Sequence, residues 1–166
     1  MKKRGFRNFF KKINWSSFFL SVVAVYATAV IGALFTSRGV KSFWYLTIRP
    51  SITPPSWVFS VVWNILFFLI FLSLYFYLSK QKEVRWPSKI ELVFSINLVL
   101  NFLWSFLYFW VRKPVFAFVD LILLWISIIV LIYANWKSNK TSALLLIPYL
   151  LWISFAGVLN YLSAFT

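Results

Sequence analysis

Five apolar runs, each about 20 residues long, divide this chain, and a run of that length crosses the hydrocarbon of a bilayer as an α-helix. They fall at 17–36, 54–78, 89–110, 115–136 and 142–165. A water-soluble domain carries about one charged residue in four. Here the charged fraction is 12%, against 62% hydrophobic and 23% aromatic, and the charges gather between the runs. Lipid tails offer no partner to a peptide N–H or C=O, so each run must close its own backbone bonds. The expected fold is an all-α membrane protein, a bundle of five transmembrane helices forming a single transmembrane domain over 1–166.

The net charge is +14, from 17 Lys plus Arg against three acids. In a soluble protein that balance would point to nucleic acid. No basic residue lies inside an apolar run, so the cations are read as anchors at the headgroups and nucleic acid is not an expected partner. Twelve of them fall on the side of the N-terminal segment and the second and fourth loops, and five on the other side. The positive-inside rule then places the N-terminus in the cytoplasm and the first loop, 37–53, outside. Met1-Lys2-Lys3-Arg4 before an apolar run resembles a signal peptide. The run continues to Phe35 with no small-x-small cleavage site, so it is read as an uncleaved first span.

Local signals mark the ends of the spans. Thr28, Gly32 and Thr36 recur at every fourth position, a stripe along which another helix can approach closely. Pro54-Pro55 opens the second span, where a missing N–H costs nothing. Ser88-Lys89-Ile90-Glu91 reads as a capping box after Pro87. Arg112-Lys113-Pro114 is a tight turn. Pro148 should kink the fifth span. The first loop is long for a bundle connector and carries Arg38, Lys41, Trp44 and Arg49, so it is a candidate lid.

With no His, no Cys and Met1 as the single Met, the conventional nucleophile–base pairs and the usual zinc and haem-iron ligands are missing. No cofactor and no metal site are expected. Asp120 is the one acid inside a span, about one turn into the fourth, and is expected to hydrogen-bond a neighbouring helix or loop. Asn97, Asn101, Trp104, Ser105 and Tyr108 share one face of the third span, and so polar a face avoids lipid. Trp63 and Phe67 lie one turn apart on the second span. Trp152, Ala156 and Asn160 follow at helical spacing on the fifth. Two readings stay open: a pocket for a flat, mostly apolar ligand, or aromatic packing with amides bridging the helices.

Phe35-Thr36-Ser37-Arg38-Gly39, Trp44-Tyr45, Arg49-Pro50-Ser51, Pro54-Pro55-Ser56-Trp57-Val58-Phe59 and Trp63 together resemble the first-loop and second-helix signature of the TspO/MBR family, the translocator proteins or peripheral-type benzodiazepine receptors. The resemblance continues through Asn101-x-x-Trp104-Ser105, Ala117-x-x-Asp120, Pro148-Tyr149-Leu150-Leu151-Trp152-x-x-Phe155-Ala156 and Leu159-Asn160-Tyr161. It covers all five spans, and the residue usage points to a bacterial member in the plasma membrane. The resemblance implies a five-helix bundle, often a homodimer, with a pocket opening toward the first loop. It also implies binding of protoporphyrin IX-like tetrapyrroles and of aromatic drug-like ligands. By motif position the ligand-binding residues are Trp63, Phe67, Asn101, Trp104, Trp152 and Ala156. Three departures stand out. Ile52 occupies a place where the family usually has Trp. The segment between Trp44 and Pro50 is one residue short. Tyr161 is followed by no Lys or Arg, which leaves the cholesterol motif of animal members without support here.

The preferred expectation is a receptor or sensor with a free-base porphyrin stacked on Trp63, Trp104 and Trp152 and its carboxylates near Arg38, Lys41 or Arg49. Two alternatives follow from the same resemblance. One is light- and oxygen-dependent porphyrin degradation with Trp63 and Trp152 as candidate catalytic residues. The other is transport of a porphyrin or another small molecule.

Overall fold

A computed structural model describes residues 13–80 and 88–166. The cations at 2–12, Lys82, Glu83, Arg85 and Pro87 lie outside the described residues. Much of the charge count behind the orientation therefore lies there too.

The described residues form helices and no strand. Helix α1, Trp15–Gly39, is capped by the Asn14 side chain, which accepts from the Ser17 N–H at 3.1 Å. At 25 residues it is about 37 Å long, more than enough to cross hydrocarbon. It runs three residues beyond the expected span end and takes in Arg38. The first loop is also more ordered than its composition implied, because Ser42 caps a short helix α2, Phe43–Ile48. Helix α3, Ser56–Ser79, begins just after the paired prolines, so Pro55 holds the N-cap place rather than the first turn. Helix α4, Lys89–Ser105, starts on the capping box: the Ser88 hydroxyl accepts from Glu91 N–H at 3.3 Å and the Glu91 carboxylate accepts from Ser88 N–H at 3.0 Å.

The third span does not end as an α-helix. Its last turn, Phe106–Trp110, widens to π geometry, which re-aims the side chains beyond Ser105. Arg112 then turns the chain at φ 58°, and the Lys113 N–H donates back to the Leu107 carbonyl at 3.1 Å. Helix α5, Pro114–Ser138, carries its proline in the first turn, where no bond is lost. The fifth span breaks as Pro148 requires: α6, Lys140–Leu145, and α7, Ile147–Phe165, meet at buried Leu146.

Five segments, Trp15–Gly39, Ser56–Ser79, Lys89–Trp110, Pro114–Ser138 and Lys140–Phe165, are long and apolar enough to span a membrane. The chain is an integral, multi-pass membrane protein. Val23, Val30, Leu34, Leu92, Val99, Val119, Leu123 and Leu151 are all exposed; in water they would form a large unstable patch, whereas acyl chains cover them at no cost. Helix α1 packs on α3 and α4, α4 on α5, and α5 on α7. The ring closes where α6 meets α3. There the Ser73 and Ser142 hydroxyls lie 2.8 Å apart, and Asn139 donates to the Phe76 carbonyl at 2.8 Å. Below the break, α7 and α3 part company. One half of the bundle is therefore packed around Leu66, Ile70, Leu74, Phe94, Leu124, Ile128 and Leu131. The half nearer α2 is left open inside.

The small-residue stripe does face a helix. Thr28 and Gly32 are buried, and a methyl at Gly32 would meet the Ser105 hydroxyl at an ordinary 3.5 Å. The tight approach lies one turn beyond Gly32's neighbour Thr36. A Cβ at Gly39 would fall 2.5 Å from the Phe109 Cβ, on the widened turn. Gly39→Ala should therefore lower the melting temperature in detergent, at a cost of about 1–3 kcal/mol for forced repacking, while Gly32→Ala should melt close to the parent. Equal melting of both variants would refute this account of how α1 docks.

Candidate functional site

The divergence of α3 from α7 leaves a cavity of about 660 Å³, within the range of small-molecule sites. Its walls come from α1, the first loop, the first half of α3, the end of α4, and α7, with Leu121 and Leu124 of α5 behind. Trp63, Phe67, Asn101, Trp104, Trp152 and Ala156 all line it. Residues grouped by helical spacing on three separate spans thus face one space.

Each indole is braced by another ring. Trp63 lies 5.3 Å from Phe67 and meets Tyr149 edge-on at 6.4 Å. Trp104 stacks on Tyr108 at 5.2 Å. Trp152 meets Phe59 and Phe155, each at 5.5 Å. Such pairs hold ring planes in place at low entropic cost.

Hydrogen bonding separates these side chains into two groups. Asn101 donates to the Tyr149 hydroxyl at 2.8 Å, and Tyr149 donates to the Asn97 carbonyl oxygen at 3.4 Å. Asn97 donates to Ser127 at 2.8 Å. Trp104 Nε1 donates to the Asn160 Oδ1 at 2.9 Å, and Asn160 Nδ2 donates to the Pro114 carbonyl at 2.9 Å. Tyr108 donates to Ser163 at 2.8 Å. These amides and hydroxyls tie α4, α5 and α7 together, so Asn101 and Trp104 serve the bundle as well as lining the cavity. Trp152 differs. Its Nε1 is buried without a hydrogen-bond partner among the described residues, and so is the hydroxyl of Thr53, which lines the same cavity.

The candidate lid residues are not on the cavity wall. The Arg38 guanidinium lies over the Trp110 ring, 5.6 Å from its centre, on the outer side of the bundle. Trp44 packs against Tyr108 at 5.8 Å, with the Arg112 guanidinium 6.0 Å from the centre of its ring. Arg49 borders a small adjoining recess that shares Pro50 and Thr53 with the cavity. Of Arg38, Lys41 and Arg49, the three cations expected near a ligand's carboxylates, Lys41 lines the cavity and the two arginines do not. Helix α2 rotates their stretch of chain so that Val40, Lys41, Tyr45, Pro50 and Thr53 face inward instead. Burial pushes the Tyr45 phenol above its ordinary range, against the opposing pull of Arg49, so it stands in this wall as a neutral hydroxyl. Ile52, where the family pattern has Trp, is 55% exposed and lines no part of the cavity.

Asp120 also departs from expectation. It is buried, yet both carboxylate oxygens lack a hydrogen-bond partner among the described residues. Sequence reasoning missed Phe59, Ser60, Asn64 and Tyr149. The first three share the helical spacing that marks Trp63 and Phe67, and Ser56, Ser60 and Asn64 form a polar i, i+4, i+8 stripe whose members all line the cavity. Tyr149 lies three residues before Trp152 and is fully buried; its position just after Pro148 concealed it, because the break in the helix resets the spacing.

The model of the TspO/MBR family matches residues 19–164. A Tryptophan-rich protein TspO from Archaeoglobus fulgidus is 39% identical over 142 residues, covering 85% of this chain and 90% of the relative. Its namesake from Chlorobaculum tepidum is 35% identical over 135 residues, covering 81% and 85%. The Translocator protein of Bos taurus is 33% identical over 136 residues, covering 79% and 78%.

Replacing Asn160 with Leu removes the acceptor for Trp104 and the donor to Pro114 together. In lipid-like surroundings each interhelical bond is worth about 0.6–2 kcal/mol. Asn160→Leu should lower the detergent melting temperature by several degrees. Asn64→Leu should leave it nearly unchanged, because Asn64 is exposed and bonds only the Ser60 carbonyl of its own helix. Equal effects would show that the amide does not join the helices.

Proposed function

This chain belongs to the TspO/MBR family, and on that premise we propose that it is a membrane receptor or sensor that takes a protoporphyrin IX-like tetrapyrrole, or a flat aromatic drug-like molecule, into its helix bundle. One observation carries the reading: Trp63, Trp104 and Trp152 border a single cavity of about 660 Å³. A flat conjugated ring gains most from such walls, through offset or edge-on contacts of about 0.5–1.5 kcal/mol each beyond simple burial. Lys41, Tyr45, Ser60 and Asn64 add polar groups to the largely aromatic wall, as a flat ligand with a few polar edges requires. Free-base porphyrin fits better than ligated haem because the chain has no His or Cys to hold iron.

A receptor role is favoured over passage across the membrane. Beyond the cavity the bundle is filled by Leu66, Ile70 and Tyr149, all at most 2% exposed, and then closed by the Ser73–Ser142 bonds. In this reading the cavity mouth lies outside a plasma membrane and the N-terminus inside, in keeping with twelve basic residues on one side against five on the other.

Titration of the purified protein with protoporphyrin IX in detergent should quench tryptophan fluorescence saturably. Trp63→Ala and Trp152→Ala should each weaken binding about tenfold, which corresponds to about 1.4 kcal/mol. Quenching that is unchanged in both variants would refute the assignment of this cavity. Illumination of the complex in air separates turnover from sensing: bleaching no faster than in protein-free micelles excludes the enzymatic alternative.

A further inference from the structure

We infer that the cavity opens sideways into the bilayer through a slot between α1 and α3, and that it takes up amphiphilic molecules already dissolved in the leaflet on the first-loop side, which pass Ser60 and Asn64 as they enter. The inference rests on the reading above and extends it from what is bound to where it comes from. It starts from exposure. The cavity residues supplied by α4, α5 and α7 are all buried or half-buried. Those of α1 and α3 are not. Tyr26, Val30 and Ala33 of α1 and Ser56, Ser60 and Asn64 of α3 line the cavity and are exposed at the same time. A side chain does both only at an opening, and the two rows belong to helices that pack side by side.

The slot has a floor and a depth. Below it, rings close the seam between the helices: Phe18 meets Phe71 at 5.4 Å and Tyr75 at 6.0 Å, and Tyr26 meets Phe71 at 6.5 Å. Beyond Tyr26 no ring contact joins α1 to α3 among the described residues. From Tyr26 to Ser37, the last cavity residue of α1, the helix rises about 16 Å. That is roughly half of a hydrocarbon core about 30 Å thick. The slot therefore faces the acyl chains of a single leaflet.

The α3 lip carries groups that contact with lipid does not call for. Asn64 lies about 12 Å along α3 from Ser56, so its amide stands at hydrocarbon depth. Polar side chains at that depth ordinarily face the bundle interior or bridge two helices. Asn64 is exposed, and its Nδ2 donates to the Ser60 carbonyl of its own helix at 2.8 Å. Its carbonyl oxygen accepts from no described residue and stands, with the Ser60 hydroxyl, at the edge of the slot. A molecule with a flat apolar body loses little when that body moves from acyl chains onto the aromatic wall. Its polar edge is the costly part to move, because hydrocarbon gives it no partner. The lip offers that edge acceptors at the point of entry.

The chain has no Cys, so one introduced thiol can be modified after folding. Ala33→Cys puts it on the α1 lip. Ser51→Cys puts it in the first loop, exposed and off the cavity wall. Each protein is reconstituted in vesicles of uncharged lipid, with and without a bulky maleimide on the thiol. Tryptophan quenching by protoporphyrin IX gives the association rate, and recovery on dilution into empty vesicles gives the dissociation rate. The adduct on Ala33→Cys should slow both rates about tenfold and leave the affinity within a few-fold of the parent, as a blocked passage does and a damaged site does not. The adduct on Ser51→Cys should change neither rate. Asn64→Leu, which should melt like the parent, should slow association several-fold. Unchanged rates in the Ala33→Cys adduct, or slowing in the Ser51→Cys adduct alone, would overturn the lateral route. Association in Asn64→Leu as fast as in the parent would overturn the role of the lip. Each of these results leaves the receptor reading standing, whereas failure of protoporphyrin IX to bind the parent would overturn that reading as well.

Discussion

Inside a bilayer a peptide N–H finds no solvent partner, and this requirement decides most of what the chain does. It makes every span helical and moves the ends, breaks and turns toward positions where side chains or proline remove the need for a bond. Asn14, Ser42, Ser88 and Asn139 each accept from an orphan N–H at a helix start. Pro114 and Pro148 sit in first turns, where they have no bond to lose. The break at Pro148 has the largest consequence. It lets α6 close on α3 while α7 follows its own path, and the space between them becomes the cavity.

The same solvent sorts the polar side chains. Most are used to join helices: Ser73 with Ser142, Asn97 with Ser127, Asn101 with Tyr149, Trp104 with Asn160 and Tyr108 with Ser163. These bonds take the place that burial of apolar surface has in a water-soluble core, since lipid gives apolar side chains little reason to prefer one another. Against that pattern, the exceptions stand out. The Ser17, Thr53 and Ser79 hydroxyls, the Asp120 carboxylate and Trp152 Nε1 are buried without partners among the described residues, and of these residues Thr53 and Trp152 belong to the cavity wall.

Much of this was legible before any coordinates. Run length fixes the number of spans because hydrocarbon thickness is a physical constant of the environment, and the capping box at Ser88 and Glu91 is a local motif that no tertiary contact needs to complete. The polar face from Asn97 to Tyr108 was readable from helical spacing, as was the pairing of Trp63 with Phe67. The first loop was not. Its turn into α2 depends on Tyr45 packing against Tyr108 and Phe109, contacts more than 60 positions apart in sequence. The widened turn at Phe106–Trp110 escaped for a related reason: it follows from docking onto Gly39, and nothing in its own residues signals it. Both features bear on which first-loop side chains face inward: of Arg38, Lys41 and Arg49, the three cations expected near a ligand's carboxylates, Lys41 alone lines the cavity.

The most direct check follows the indole N–H groups one by one. With ¹⁵N-labelled tryptophan in micelles, and signals assigned by Trp-to-Phe replacement, saturating protoporphyrin IX should shift the Trp63, Trp104 and Trp152 resonances through the ring current of a stacked macrocycle. Trp15 and Trp136, exposed at the far end of the bundle, and Trp125, bonded to Ser154 on the outer face, should keep their positions. Shifts spread evenly over all these indoles, or confined to Trp15, Trp125 and Trp136, would contradict a ligand held inside the bundle.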